Sequence, residues 1–76
     1  MEARDAELIN TLASSNDELR IAYEEHTRLA GLVDELEARG HLSVEEEVEQ
    51  HRLKKLKLAE KDKIMRILDE HRRVNA

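Results

Sequence analysis

Leu19, Ala22, His26, Leu29, Val33 and Leu36 are spaced alternately three and four residues apart. That spacing keeps one stripe of a helix facing one neighbour over several turns, and it leaves little room for any other fold. A second block continues after residue 50, with Leu53, Leu56, Ile64, Ile67, Leu68 and Val74 in a broader stripe that also holds Lys57 and Glu60. Between the blocks stands Gly40-His41-Leu42-Ser43. Gly40 suits the left-handed position that ends a helix. Ser43 and Glu46 match a capping box, in which each side chain bonds the other residue's backbone N–H. Glu45, Glu46 and Glu47 add negative charge at the positive end of the helix dipole. An earlier break falls at Ala13-Ser14-Ser15-Asn16-Asp17, where Ser15 and Glu18 have the spacing of another capping box. The expectation is an all-α chain: an antiparallel helical hairpin, coiled-coil-like, with a short N-terminal helix, the helices near 2–13, 16–39 and 44–73 of a single domain 1–76. The link at 40–42 allows only a tight reversal, so its two helices are antiparallel neighbours.

Composition restricts the core further. The 76 residues contain no Cys, no Phe, no Trp and one Tyr, Tyr23. Disulfides are excluded, and the core must be a narrow seam of Leu, Ile, Val and Ala rather than an aromatic interior. At this length folding buries only about 60% of the unfolded chain's surface, so regular helix packing or association has to supply the rest. Charged residues make up 41% of the chain. The apolar periodicity argues against disorder at that charge. The first residues show no basic segment followed by an apolar one, and no apolar run approaches the ~18 residues of a membrane span. A cytoplasmic location without membrane attachment is the expectation.

The third helix carries more apolar positions than one neighbour can cover. Leu58 and Met65 lie roughly 120–140° from the centre of its stripe at 100° per residue. It is also longer than the second helix, with its surplus around Leu68 to Val74. Leu8, Ile9 and Leu12 of the first helix are placed to cover that surplus, in the same chain or a neighbour. Leu58, Met65, Leu8, Ile9 and Leu12 are therefore the expected interaction surface. Inside the hairpin, a turn centred near residue 41 sets position 26 opposite positions 57 to 60. His26 and Glu60 are expected to pair there, since each buried alone would cost free energy.

Part of this pattern resembles a known family. His26-x-x-Leu29-x-x-x-Val33-x-x-Leu36-Glu37, followed after the turn by Leu53-Lys54-Lys55-x-Lys57-Leu58-x-x-Lys61-Asp62-x-Ile64-x-x-Ile67-Leu68, is similar to the YdcH family of small bacterial proteins. The likeness covers roughly residues 19–68, and Leu53 to Leu68 is its specific part. It implies a bacterial helical-hairpin protein with a domain of unknown function, and it implies no activity. The chain differs at Ala30, where the family tends to have Asp, and at Glu60, where it tends to have an apolar residue.

Charge divides the chain unevenly. Residues 1–50 hold fourteen acids and four bases, and residues 51–76 hold four acids and nine bases. Arg52, Lys54, Lys55, Lys57 and Lys61 form a basic run that could meet a nucleic-acid backbone or the acidic half of the protein itself. The acidic overall balance and the lack of an aromatic residue in the third helix favour the second use. Glu35, Glu37, Glu46 and Glu47 gather at the turn end as an acidic tip. Glu47 and His51 stand four apart on one face, yet a metal needs three or four ligands and no further His or Cys is near in sequence. No Gly-rich phosphate loop is present, and two of the five Ser and Thr residues have expected capping roles. The expected function is non-catalytic: protein–protein interaction or assembly by helix packing, with itself and another protein, without cofactor, metal or small-molecule substrate. Nucleic-acid association through the basic face is the alternative.

Overall fold

The computed structural model describes residues 3–74. Three helices follow one another, α1 (Ala3–Ala13), α2 (Asp17–Ala38) and α3 (Val44–Val74), with no strand among the described residues. The 31-residue α3 would measure ~46 Å at 1.5 Å per residue, which sets the long dimension of a 48 × 19 × 17 Å rod. The expected all-α hairpin with a short first helix is the fold observed, with helix ends within two residues of those read from the sequence.

The hairpin turn forms as its residues dictate. Gly40 has φ +75°, a conformation open to glycine at little cost. Its amide donates to the Glu37 carbonyl at 3.3 Å, closing the end of α2. The Ser43–Glu46 capping box is complete: the Glu46 amide donates to Ser43 Oγ at 3.2 Å, and the Ser43 amide donates to Glu46 Oε1 at 3.0 Å. Arg39 reaches across the turn to Glu46 and ties the two helix ends together.

The start of α2 departs from expectation. Asn16, not Ser15, is the cap; its backbone is extended, and its Oδ1 accepts from the Leu19 amide at 3.0 Å. Ser15 is already engaged by the preceding helix. Its hydroxyl donates to the Leu12 carbonyl, as Ser14 does to Thr11, so both serines close α1 rather than open α2. Asn is as good a cap as Ser, and the residue left in the extended conformation takes the role.

Two hydrophobic clusters hold the rod. At the α1 end, Ile9, Leu19, Ala22, Ile64, Ile67 and Leu68 are buried together, with Leu8, Leu12, Tyr23 and Met65 packed around them. At the turn end, the cluster is Leu29, Val33 and Leu53, flanked by Leu32 and Leu36. The α2 repeat thus faces inward throughout, with Leu19, Ala22, Leu29 and Val33 buried and His26 half-buried between the two groups. The α3 stripe is narrower than its sequence implies. Leu56 and Val74 lie at its margin, roughly 70° from the mean direction of Leu53 and Ile64, and both are exposed.

Candidate interaction surface

Of the five residues expected to form the interaction surface, four pack within their own chain, the α1 residues among them having been free on sequence grounds to cover either this chain or a neighbour. Ile9 is buried, and Leu8, Leu12 and Met65 are packed against the cluster it belongs to. The surplus length of α3 is covered as the sequence suggests, and the cover is the chain's own α1. Asp5 and Arg72 add an ion pair at 2.5 Å that fastens the start of α1 to the end of α3. Leu58 alone remains open, at 57% exposure.

Leu58 has two companions that the apolar stripes gave no reason to select. Val44 is 75% exposed and Val48 is 64% exposed. Counting back from Leu58 by ten and fourteen residues reaches Val48 and Val44, so all three occupy one heptad row. At 100° per residue the row points away from the buried side of α3, on which Leu53 and Ile64 lie. His51, Lys55 and Asp62 fill the intervening positions of the row and are exposed, and Met65 ends it where the α1 side begins.

The polar centre of the hairpin has the expected register but a different partnership. His26 Nδ1 lies 3.2 Å from the Lys57 carbonyl oxygen, thirty-one residues away. A carbonyl only accepts, so the imidazole donates through Nδ1–H. Glu60 does not pair with His26; it turns to Lys63 at 3.6 Å on the next turn of α3. Physically, a backbone carbonyl has a second lone pair free beside its helical bond. It can satisfy a half-buried imidazole without the desolvation that a buried carboxylate would require.

Part of the basic run shares a face. At 100° per residue Lys54, Lys57 and Lys61 fall within about 60° of one another, whereas Lys55 and Arg52 turn about 100° or more beyond Lys54. Arg52 is paired with Glu49, and Lys54 with Glu37 of α2 at 3.3 Å. The acidic tip is similarly divided. Glu46 is consumed by the cap and by Arg39, Glu37 by Lys54, while Glu35 and Glu47 remain exposed.

Among the described residues three carboxylates are held below the ordinary glutamate range. Glu46 is lowered chiefly by the Ser43 backbone N–H and then by its hydroxyl. Glu25 and Glu49 are each lowered by a hydrogen bond from the arginine three residues on, Arg28 and Arg52. The two arginines are raised in turn by the same bonds. These i,i+3 pairs are exposed and fix side-chain geometry more than stability.

Concave features are shallow. An open depression at the turn is lined by Gly40, His41, Leu42, Glu47, Gln50 and His51. Among the described residues no group of three or more His, Asp or Glu is arranged to hold a metal ion. No described helix is long and apolar enough to cross a membrane. Thr11, Ser14 and Ser15 donate their hydroxyls to backbone carbonyls, and Ser43 serves the α3 cap.

No family model, curated protein or solved structure matches the chain.

Proposed function

We infer that the protein is a non-catalytic interaction or assembly module that works by helix packing, and that its contact surface is the outward row of α3. The carrying observation is the exposure of Val44, Val48 and Leu58 at heptad spacing on a helix whose opposite side is already committed to the core. Large aliphatic side chains left in water forgo about 25 cal/mol for each Å² a partner could cover. A binding role rather than catalysis is supported by the open depressions and by the serine hydroxyls spent at helix ends. The nucleic-acid alternative has less support, since Arg52 and Lys54 are engaged by carboxylates of the same chain. The resemblance to small bacterial helical-hairpin proteins fits this reading, as does a cytoplasmic setting.

Placing a photo-crosslinking amino acid at Leu58 in producing cells tests the reading. Discrete adducts from position 58, and none from exposed Glu24 on α2, are expected. Smeared or absent adducts from position 58 would overturn it.

A further inference from the structure

We propose that the outward row of α3 pairs with the same row of a second copy of this chain, in antiparallel orientation; this rests on the interaction reading above and names its partner. The row is Val44, Val48, His51, Lys55, Leu58, Asp62 and Met65, spaced four and three alternately, which is the seam of a two-helix coiled coil.

Charge chooses the orientation. A parallel pair would stack Lys55 on Lys55 and Asp62 on Asp62 in the seam. It would also set the acidic start of α3, Glu45, Glu46, Glu47 and Glu49, against its own copy. Like charges so placed oppose association. Antiparallel pairing removes both conflicts. In the register where facing positions sum to 113, His51 meets Asp62 of the second copy, Val48 meets Met65, and the Lys55 stem lies along Leu58. Two-fold symmetry makes each of these contacts twice. Glu45 then flanks Arg66 of the second copy. Lys54, which would approach Lys61 of the second copy, is already drawn toward Glu37 of its own chain. Moving the antiparallel register by one heptad, to a sum of 106, would pair Val48 with Leu58 but put His51 beside Lys55 and Asp62 against Val44; the sum of 113 leaves Val44 beside Asp69 and keeps both charged positions of the seam matched.

The monomer fold leaves this row free. The buried residues of α3, Leu53, Ile64, Ile67 and Leu68, belong to the other side of the helix. From Val44 to Met65 the seam runs ~32 Å, long enough for three heptads. Only Met65 is shared with the core, so α1 marks where the seam stops.

The absence of Cys makes the test direct. His51→Cys and Asp62→Cys are purified separately, then oxidised mildly, alone and as an equimolar mixture at about 100 μM. Disulfides need Cα atoms within ~7 Å. Facing positions 51 and 62 meet that limit, whereas position 51 lies ~16 Å along the seam from its own copy. The mixture is expected to give at least about tenfold more covalent dimer than either variant alone. Self-linking of both variants, each alone, would overturn the antiparallel orientation, since only parallel pairing sets 51 and 62 each against its own copy, and no linking in any sample would overturn pairing in this register. If discrete adducts form at Leu58 in cells while the purified mixture stays unlinked, the interaction reading stands with a different protein as partner. If both fail, both fall.

Discussion

The two ends of this rod are built from the same residue types and are held very differently. At the α1 end three helices converge, and six residues are buried in one cluster with four more packed on it. At the turn end two helices meet, and only Leu29, Val33 and Leu53 are buried. A pair of helices can cover one stripe of each, so residues on the flanks stay half in water. At the other end α1 adds Ile9 to the cluster, and Leu19, Ile64 and Leu68 are fully enclosed. The turn end compensates with local devices, the Gly40 reversal and the Ser43–Glu46 box. Between them, the bond from His26 to the Lys57 carbonyl marks the boundary of the two clusters.

This contrast can be broken by substitution, and the largest effect is expected at the enclosed end. Leu68→Ala should cost about 3 kcal/mol or more in urea unfolding, because three helices cannot collapse into the space it leaves. Leu53→Ala should fall near the lower end for such changes, about 2 kcal/mol, since the open end can relax. Equal costs would mean that the two clusters are one cooperative core.

A smaller effect is expected at the turn. Nothing lies within 4 Å of a Cβ built on Gly40, so substitution there is resisted by the backbone alone. Gly40→Val should lower stability by about 1 kcal/mol or more, since a β-branched residue resists positive φ. An unchanged melting temperature would show that the turn rearranges freely.

His26→Leu should be smaller still, within about 1 kcal/mol of neutral, because the Lys57 carbonyl keeps its helical bond and the apolar clusters gain continuity. A larger loss would show that the imidazole bond fixes the register of the hairpin.

Acid sharpens the same comparison. Glu46 is held below its ordinary value of 4.5 in the folded chain. Its contribution is therefore present above that value and is lost as pH falls through the lower folded one. The melting temperature should decline below about pH 4.5, and Glu46→Gln should flatten that decline. Glu25 and Glu49 titrate in the same direction and leave a residual slope. A profile unaffected by Glu46→Gln would place the acid sensitivity elsewhere.

Much of this arrangement is legible in the sequence, because helical periodicity and turn chemistry are local. The 3-4 spacing from Leu19 to Leu36, the glycine at 40 and the Ser43–Glu46 pair each act within a few residues of themselves. Ser15 misled because two adjacent residues could both cap, and only the end of α1 decides between them. Leu8, Leu12 and Met65 were legible as apolar positions needing cover, yet which chain supplies the cover depends on the path of residues 14–16. Val44 and Val48 give no signal in the core pattern, because a row pointing outward contributes nothing to it. Their signal, heptad spacing back from Leu58, is present in the sequence and gains meaning only when the other side of α3 is known to be filled.

The enclosed end buries the larger cluster, and the outward row of α3 is the surface proposed for contact with another helix. The double variant Val48→Glu, Leu58→Glu tests that division most directly. Urea unfolding at low concentration, where association is negligible, should match the parent within about 0.5 kcal/mol, as for ordinary surface changes. Sedimentation at about 100 μM should show association in the parent and a monomer in the variant. A dilute variant that unfolds far more easily would make the row part of the fold. A variant that associates like its parent would remove the row from the interface.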